Sequence, residues 1–266
     1  MQPLDGIKTQ LARSAEEVIG NIRRNSERCL LDVHELPEFR HVLPIAIVGG
    51  GPSLNGELDL LRRVKYIMAC GSVHDHLICA GIVPKWCVIV DADPIMARYL
   101  THPAKGCTYL VASQCHDAVF EALKGFKTVP WHAGDEEPSK EIWGDEPKTL
   151  IGGGCTVGLR AMMIALTFGY GNFHLFGFDT CLPDEETHHA YEFATDREEI
   201  GKVTRIRLGS TEGKEFLMAD HHIAQLFDFK AMLQAQARRM SVTVHGGGAL
   251  AEIMRFGFEQ AKLATA

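Results

Sequence analysis

An α/β fold is predicted: a Rossmann-like, mostly parallel sheet with helices on both faces. Three observations carry the prediction. From residue 45 onward, short β-branched runs alternate with segments of helical spacing. The runs are apolar almost throughout, as strands covered on both faces are. The first of them, Ile45-Ala-Ile-Val, opens directly into Gly49-Gly-Gly-Pro-Ser53, the profile of a buried strand, a tight turn and a helix start.

Ahead of that strand, Ile7, Leu11, Val18, Ile22, Leu30 and Leu31 recur at helical spacing with Arg and Glu between them. Residues 1–43 therefore read as an N-terminal helical segment, packed on the sheet or serving a homodimer. Pro37 and Pro44 bracket the connector that leads to the main domain, residues 44–258. Strands are expected at 45–48, 66–69, 86–90, 108–112 and 128–131, with helices at 72–80 and 116–123 between them. Residues 134–148 form an acidic loop with Pro138 and Pro147, suited to a surface or lid role. A long helical pattern through Leu159, Met163 and Leu166 follows, then a strand over 173–178. An insertion over about 180–220 holds a β-hairpin, with strands at 202–208 and 214–218. A helix from Asp220 to about Met240, a short strand at Val242 and a closing helix from Ala249 complete a hairpin and helix extension.

The 266 residues suffice for a sizeable core, and a net charge of −7 argues against a general nucleic-acid or anionic-membrane binder. No apolar run approaches the ~20 residues that cross a bilayer, and the N-terminus lacks the apolar core of a signal peptide. Eight cysteines occur without a CxxC pair. Cys70, Cys87 and Cys155 lie in or beside apolar segments and read as buried thiols, which suits a cytoplasmic location.

Ligands of parallel sheets sit beyond the carboxyl ends of the strands, so each strand exit is a candidate site. At the first exit, Gly49, Gly50, Gly51, Pro52 and Ser53 offer close backbone approach and a helix N-terminus to a nucleotide phosphate. No Gly-Lys-Ser/Thr follows, so this is not a Walker loop, and Leu54 stands where a dinucleotide fingerprint needs its third glycine. The second exit, Gly71-Ser72, joins the nucleotide-binding set. Asp91 and Asp93 at the third exit suit Mg²⁺ bridging to phosphate oxygens, and Asp93 before Pro94 equally suits a helix N-cap. Gly153, Gly154, Cys155 and Thr156 open a second glycine-rich helix that could face the first across a nucleotide. Asp179 ends the strand at 173–178. His188 and His189 follow in a polar loop beside Asp184, Glu185 and Glu186; the spacing matches no common zinc motif, so one histidine reads as a general acid or base, or both as solvated side chains. Asp220 suits an N-cap with His221 or His222 free to face the cleft, and Gly246-Gly-Gly248 reads as a turn.

The pieces Asn21-Ile-Arg-Arg-Asn25, Ile47-Val-Gly-Gly-Gly-Pro-Ser-Leu54, Gly81-Ile-Val-Pro84, Val90-Asp-Ala-Asp-Pro94, Gly152-Gly-Gly-Cys-Thr156 and Leu175-Phe-Gly-Phe-Asp179 together resemble the MptE-like family. That family takes in 6-hydroxymethyl-dihydropterin diphosphokinases and the core domain of motility accessory factors. More distantly the chain is similar to bacterial sialyltransferases. The diphosphokinase resemblance implies an enzyme passing pyrophosphate from ATP to a hydroxymethyl acceptor, with Mg²⁺ on Asp91 and Asp93. The motility-factor resemblance, carried by Asp179 and Thr187-His-His-Ala190, implies transfer of a nucleotide-activated nonulosonic acid to protein; a CMP-linked donor with a small-molecule or glycan acceptor is the broader expectation. A nucleotide-binding protein without catalysis is the third expectation. The chain departs from many motility factors in lacking their large flanking regions and in carrying the hairpin.

Overall fold

The structure is a computed structural model that describes residues 13–26, 28, 43–134, 138, 150–184, 189–191, 203–208, 214–256 and 261–263. Its centre is an eight-stranded, wholly parallel sheet. The strands are β1 (Ile45–Val48), β2 (Tyr66–Cys70), β3 (Trp86–Ile89), β4 (Thr108–Ala112), β5 (Thr128–Ala133), β6 (Leu150–Ile151), β7 (Asn172–Phe176) and β10 (Ser241–Val244). They lie side by side in the order β10-β7-β1-β2-β3-β4-β5-β6. All four residues of β1 and all five of β4 are buried, as expected of strands covered on both faces.

Helices α1 (Ala15–Ser26), α2 (Leu54–Leu61), α3 (His74–Cys79), α4 (Asp117–Ala122), α5 (Val157–Thr167), α6 (Asp220–Ala235) and α7 (Ala249–Phe256) join and flank these strands. The apolar α5 buries eight of its eleven residues and packs across β1, β2 and β3. A second sheet is antiparallel: β8 (Val203–Leu208) lies between β9 (Lys214–Ala219) and β11 (Ala261–Leu263).

The strands and helices stand close to where the sequence places them. Ile151, just ahead of the second glycine turn, closes a two-residue strand against β5 that is not among the expected strands. The N-terminal helix covers 15–26 of the expected span and packs over the exit of β4. Asn21 Nδ2 donates to the carbonyl of Gln114 at 2.9 Å. One turn on, Asn25 Nδ2 reaches the carbonyls of Ser113 and Cys115, both at 2.9 Å. Two amides four residues apart on one helix face thus satisfy three carbonyls of a turn that leaves the sheet. The loop over 135–149, apart from Pro138, lies outside the described residues. No helix among the described residues is long and apolar enough to cross a membrane.

Candidate functional site at the β1–β7 switch point

The sheet order reverses at β1. From β1 the chain builds outward through β2 to β6, then returns to place β7 on the other side of β1. A crevice opens at such a reversal, beyond the strand ends. Here the two exits clasp each other. The N–H of Gly49 donates to Phe176 O at 2.8 Å and that of Gly51 to Gly177 O at 2.9 Å. A Cβ on Gly49 would meet Gly177 O at 2.7 Å, so glycine is what lets these two backbones touch.

The clasp aims Asp179. Gly177 has φ +64 and Thr180 has φ +54, which is unusual for a β-branched residue. Between them the carboxylate of Asp179, a buried residue, turns back to accept the backbone N–H of Ser53 at 2.9 Å through Oδ2. Ser53 stands just ahead of α2, so a carboxylate occupies the anion-favouring end of that helix. The buried Ser53 hydroxyl has no hydrogen-bond partner among the described residues. The Gly246–Gly248 cluster, read from the sequence as a turn, is a close approach: a Cβ on Gly246 would lie 2.5 Å from Ser53 Oγ, and one on Gly248 would strike the backbone of Asp179.

These pieces line a cleft of ≈ 450 Å³, walled by Pro52, Ser53, Asp179, Gly247 and Gly248 on one side. The hairpin supplies Arg205, Glu215, Phe216 and Leu217 on the other. The hairpin is tied to the β7 exit by the N–H of Leu182, which donates to Leu217 O at 2.8 Å. Arg205 was missed in the sequence, and the third glycine cluster was read there as a turn although it lies against Ser53 and Asp179.

Residues 189–191 lie over the outer side of the first glycine turn. Ala190 N–H donates to Gly50 O at 2.9 Å, and Asn55 Nδ2 donates to Ala190 O at 2.7 Å. Tyr191 shares a 2.7 Å hydrogen bond with Ser72 Oγ, and a Cβ on Gly50 would sit 2.5 Å from its hydroxyl. Burial pushes the Tyr191 phenol up, so it stays protonated. His189 stacks on the Tyr191 ring at 5.4 Å between centroids. His188 lies outside the described residues. The structure thus brings Gly49–Ser53, Ser72, Asp179 and His189 to one sheet edge.

The second glycine turn is filled from within. Asp228, on α6, accepts the N–H of Cys155 at 2.8 Å, and a Cβ on Gly154 would lie 2.7 Å from its carboxylate. Burial, followed by the Asp228 contact, raises the Cys155 thiol to about 12, which keeps it neutral. Thr156 caps α5 through Leu159 N–H. Each of the two turns expected to receive phosphate thus holds a carboxylate of the chain on one backbone N–H. At the start of α6, His222 Nδ1 accepts the N–H of Ala219 at 3.2 Å, a capping role.

Asp91 and Asp93 belong to a different neighbourhood. Asp93 caps the 3-10 turn Pro94–Tyr99 by accepting Ile95 N–H at 2.9 Å, and the same oxygen accepts Arg13 Nη2 at 3.1 Å. Asp91 accepts the N–H of Asp93 at 2.9 Å. The flanking Ala92 and Pro94 line a separate cleft of ≈ 470 Å³ beside Arg13, Glu16 and Arg24 of the N-terminal helical region. With the Arg13 guanidinium already on Asp93, the pair fits a resident divalent ion poorly. The described residues hold no group of three or more His, Cys, Asp or Glu arranged for one.

Beyond it, Asp75 accepts from His74 Nδ1 at 2.7 Å, Thr101 N at 2.8 Å and Thr101 Oγ1 at 2.6 Å. Burial alone would raise its carboxyl, but these hydrogen bonds outweigh burial and hold it at about 2. His74 Nε2 in turn meets the hydroxyl of Tyr109 at 2.9 Å, which makes a satisfied buried chain rather than a reactive group.

A parallel sheet with its cleft at the switch point is the ligand-binding arrangement of Rossmann-like proteins. Within that class, the chain belongs to the family described as 6-hydroxymethylpterin diphosphokinase MptE-like, whose model matches residues 16–185. The activity named in that family description, a diphosphokinase, is a transferase activity. No curated protein matches the chain. Among solved structures it is similar to the MAf glycosyltransferase from Magnetospirillum magneticum AMB-1, at 17% identity and a TM-score of 0.63. That match covers 90% of this chain and 38% of the other, so the chain spans well under half of that protein. A mammalian sialyltransferase matches at 10% identity and a TM-score of 0.47, over 92% of this chain and 83% of the other. The likeness to the MAf glycosyltransferase is one of fold.

Proposed function

We propose that this protein transfers a sugar from a nucleoside-monophosphate-linked donor, CMP-linked in our reading, with the nucleoside seated in the switch-point cleft. The observation that carries this is the carboxylate of Asp179, fixed on Ser53 N–H at 2.9 Å in the wall of that cleft. A carboxylate there accepts hydrogen bonds from hydroxyls of a ribose, and the Ser53 hydroxyl, which has no partner among the described residues, offers a second contact. It also repels phosphate, so a triphosphate with its four negative charges is disfavoured at this turn. In the reaction, the acceptor oxygen bonds to the anomeric carbon as the bond from that carbon to the donor phosphate oxygen breaks. The nucleoside monophosphate leaves with the electron pair. His189, held over the glycine turn by its neighbour Ala190, takes the proton of the acceptor hydroxyl.

Pyrophosphoryl transfer from ATP is the second reading. It is supported by the family description and by the place of Asp91 and Asp93 at a strand exit on the same sheet edge. It requires Arg13 to yield Asp93 to a magnesium ion.

A thermal-shift panel of CMP, CTP, AMP and ATP, each with and without Mg²⁺, separates the two. A ligand that binds only the folded chain raises its melting temperature. Stabilisation by CMP irrespective of Mg²⁺ is the expected result. Stabilisation by ATP only with Mg²⁺ moves the function to diphosphokinase chemistry, and a flat panel removes both readings.

A further inference from the structure

The antiparallel hairpin has no counterpart in the reading of the parallel sheet, yet it forms one wall of the cleft. Along β8, Arg205 and Arg207 are two residues apart and project to the same face. Arg207 stands opposite Glu215 in the β8–β9 register and bonds its carboxylate at 2.5 Å. Arg205 stands opposite Leu217, an apolar partner, and makes no ion pair among the described residues. Across the cleft, Asp179 already occupies the N–H of Ser53, so the glycine turn does not offer that group to an anion. Within the described lining of the cleft, Arg205 is the cation left to meet one.

We infer that Arg205 of the hairpin, and not the glycine turn, binds the phosphate of the donor nucleotide. This deepens the proposed function and rests on it. One guanidinium pairs with one phosphate group in a fork geometry. The cleft then holds a ligand by its hydroxyls at the Asp179 wall and by its phosphate at the hairpin wall. The insertion thereby becomes a donor-recognition element.

The test is calorimetric titration of the wild type and of Arg205→Ala with cytidine, CMP and a CMP-linked acidic sugar. The wild type is expected to bind CMP more tightly than cytidine. Arg205→Ala should weaken CMP by about ten- to a hundredfold, down to the level of cytidine, and leave cytidine unchanged. Arg205→Lys should recover part of the loss, which separates a charge contact from damage to the hairpin. If CMP affinity is unchanged in Arg205→Ala, the inference falls. If only the acidic-sugar donor weakens, Arg205 reads the sugar carboxylate and the inference also falls. If the wild type binds none of the three ligands, it is the proposed function that fails.

Discussion

Asp228 accepts the backbone N–H of Cys155 at 2.8 Å, repeating at the second glycine turn the bond that Asp179 makes to Ser53 at the first. Both helix N-termini that the sequence offers to phosphate are thus met by carboxylates of the chain itself. The two acids differ in setting. Asp179 lines the switch-point cleft, whereas Asp228 joins α6 to the start of α5. Asp228→Ala should therefore lower stability by about 1–3 kcal/mol, the cost of an orphaned donor at a helix start, without weakening nucleotide binding. Urea unfolding and a CMP titration on the same sample check this. A loss of CMP affinity at unchanged stability would move the nucleotide to the second turn.

Asp179→Asn should do the reverse. The amide oxygen can still accept Ser53 N–H, so the unfolding free energy should move by less than about 1 kcal/mol. The negative charge that receives ribose hydroxyls is gone, and affinity for cytidine and CMP should fall together, by about tenfold or more. Unchanged affinity would place the nucleoside outside the cleft.

The middle glycine of the first turn makes room for a side chain. A Cβ on Gly50 would sit 2.5 Å from the Tyr191 hydroxyl, so Gly50→Ala forces one of them to move, at about 1–3 kcal/mol. Tyr191→Phe loses the bond to Ser72, worth about 1 kcal/mol, but also removes the atom in the way. The double variant should be more stable than the sum of the two losses by at least ~0.5 kcal/mol. Strict additivity in chemical denaturation would mean that residues 189–191 do not lie on the turn in solution.

The parallel sheet was legible because buried strands leave an apolar run and turns leave glycines, as at Ile45–Ser53 and Gly177–Asp179. What filled the turns was not. Asp228 lies 73 residues from Cys155, and no local pattern says that a carboxylate on one helix will cap another. The same holds for Asp93, where the N-cap was readable from Pro94 but the Arg13 partner 80 residues away was not. Arg205 was hidden for a different reason: alternating charges on a hairpin read as a solvated face until the hairpin's docking through Leu182 is known.

Acid sensitivity should come from a group outside the cleft. Asp75 keeps its carboxyl at about 2 in the fold, against 3.8 for an unperturbed one, so the folded state binds a proton less readily than the unfolded chain. Its stabilising contribution is therefore complete above about pH 4 and is lost as pH falls toward about 2. His245 adds an earlier loss. Burial, reinforced by His174, lowers its pKa below 6.5 despite the opposing pull of Glu57, so its neutral form is favoured in the fold and stability declines as pH drops through that range. Urea midpoints of the wild type and Asp75→Asn, measured from about pH 7 down to about pH 2, separate the two windows. The gap between the curves should be constant above about pH 4 and close below it. A gap that stays constant to the acid end would show that Asp75 is not held by His74 and Thr101 as the structure has it.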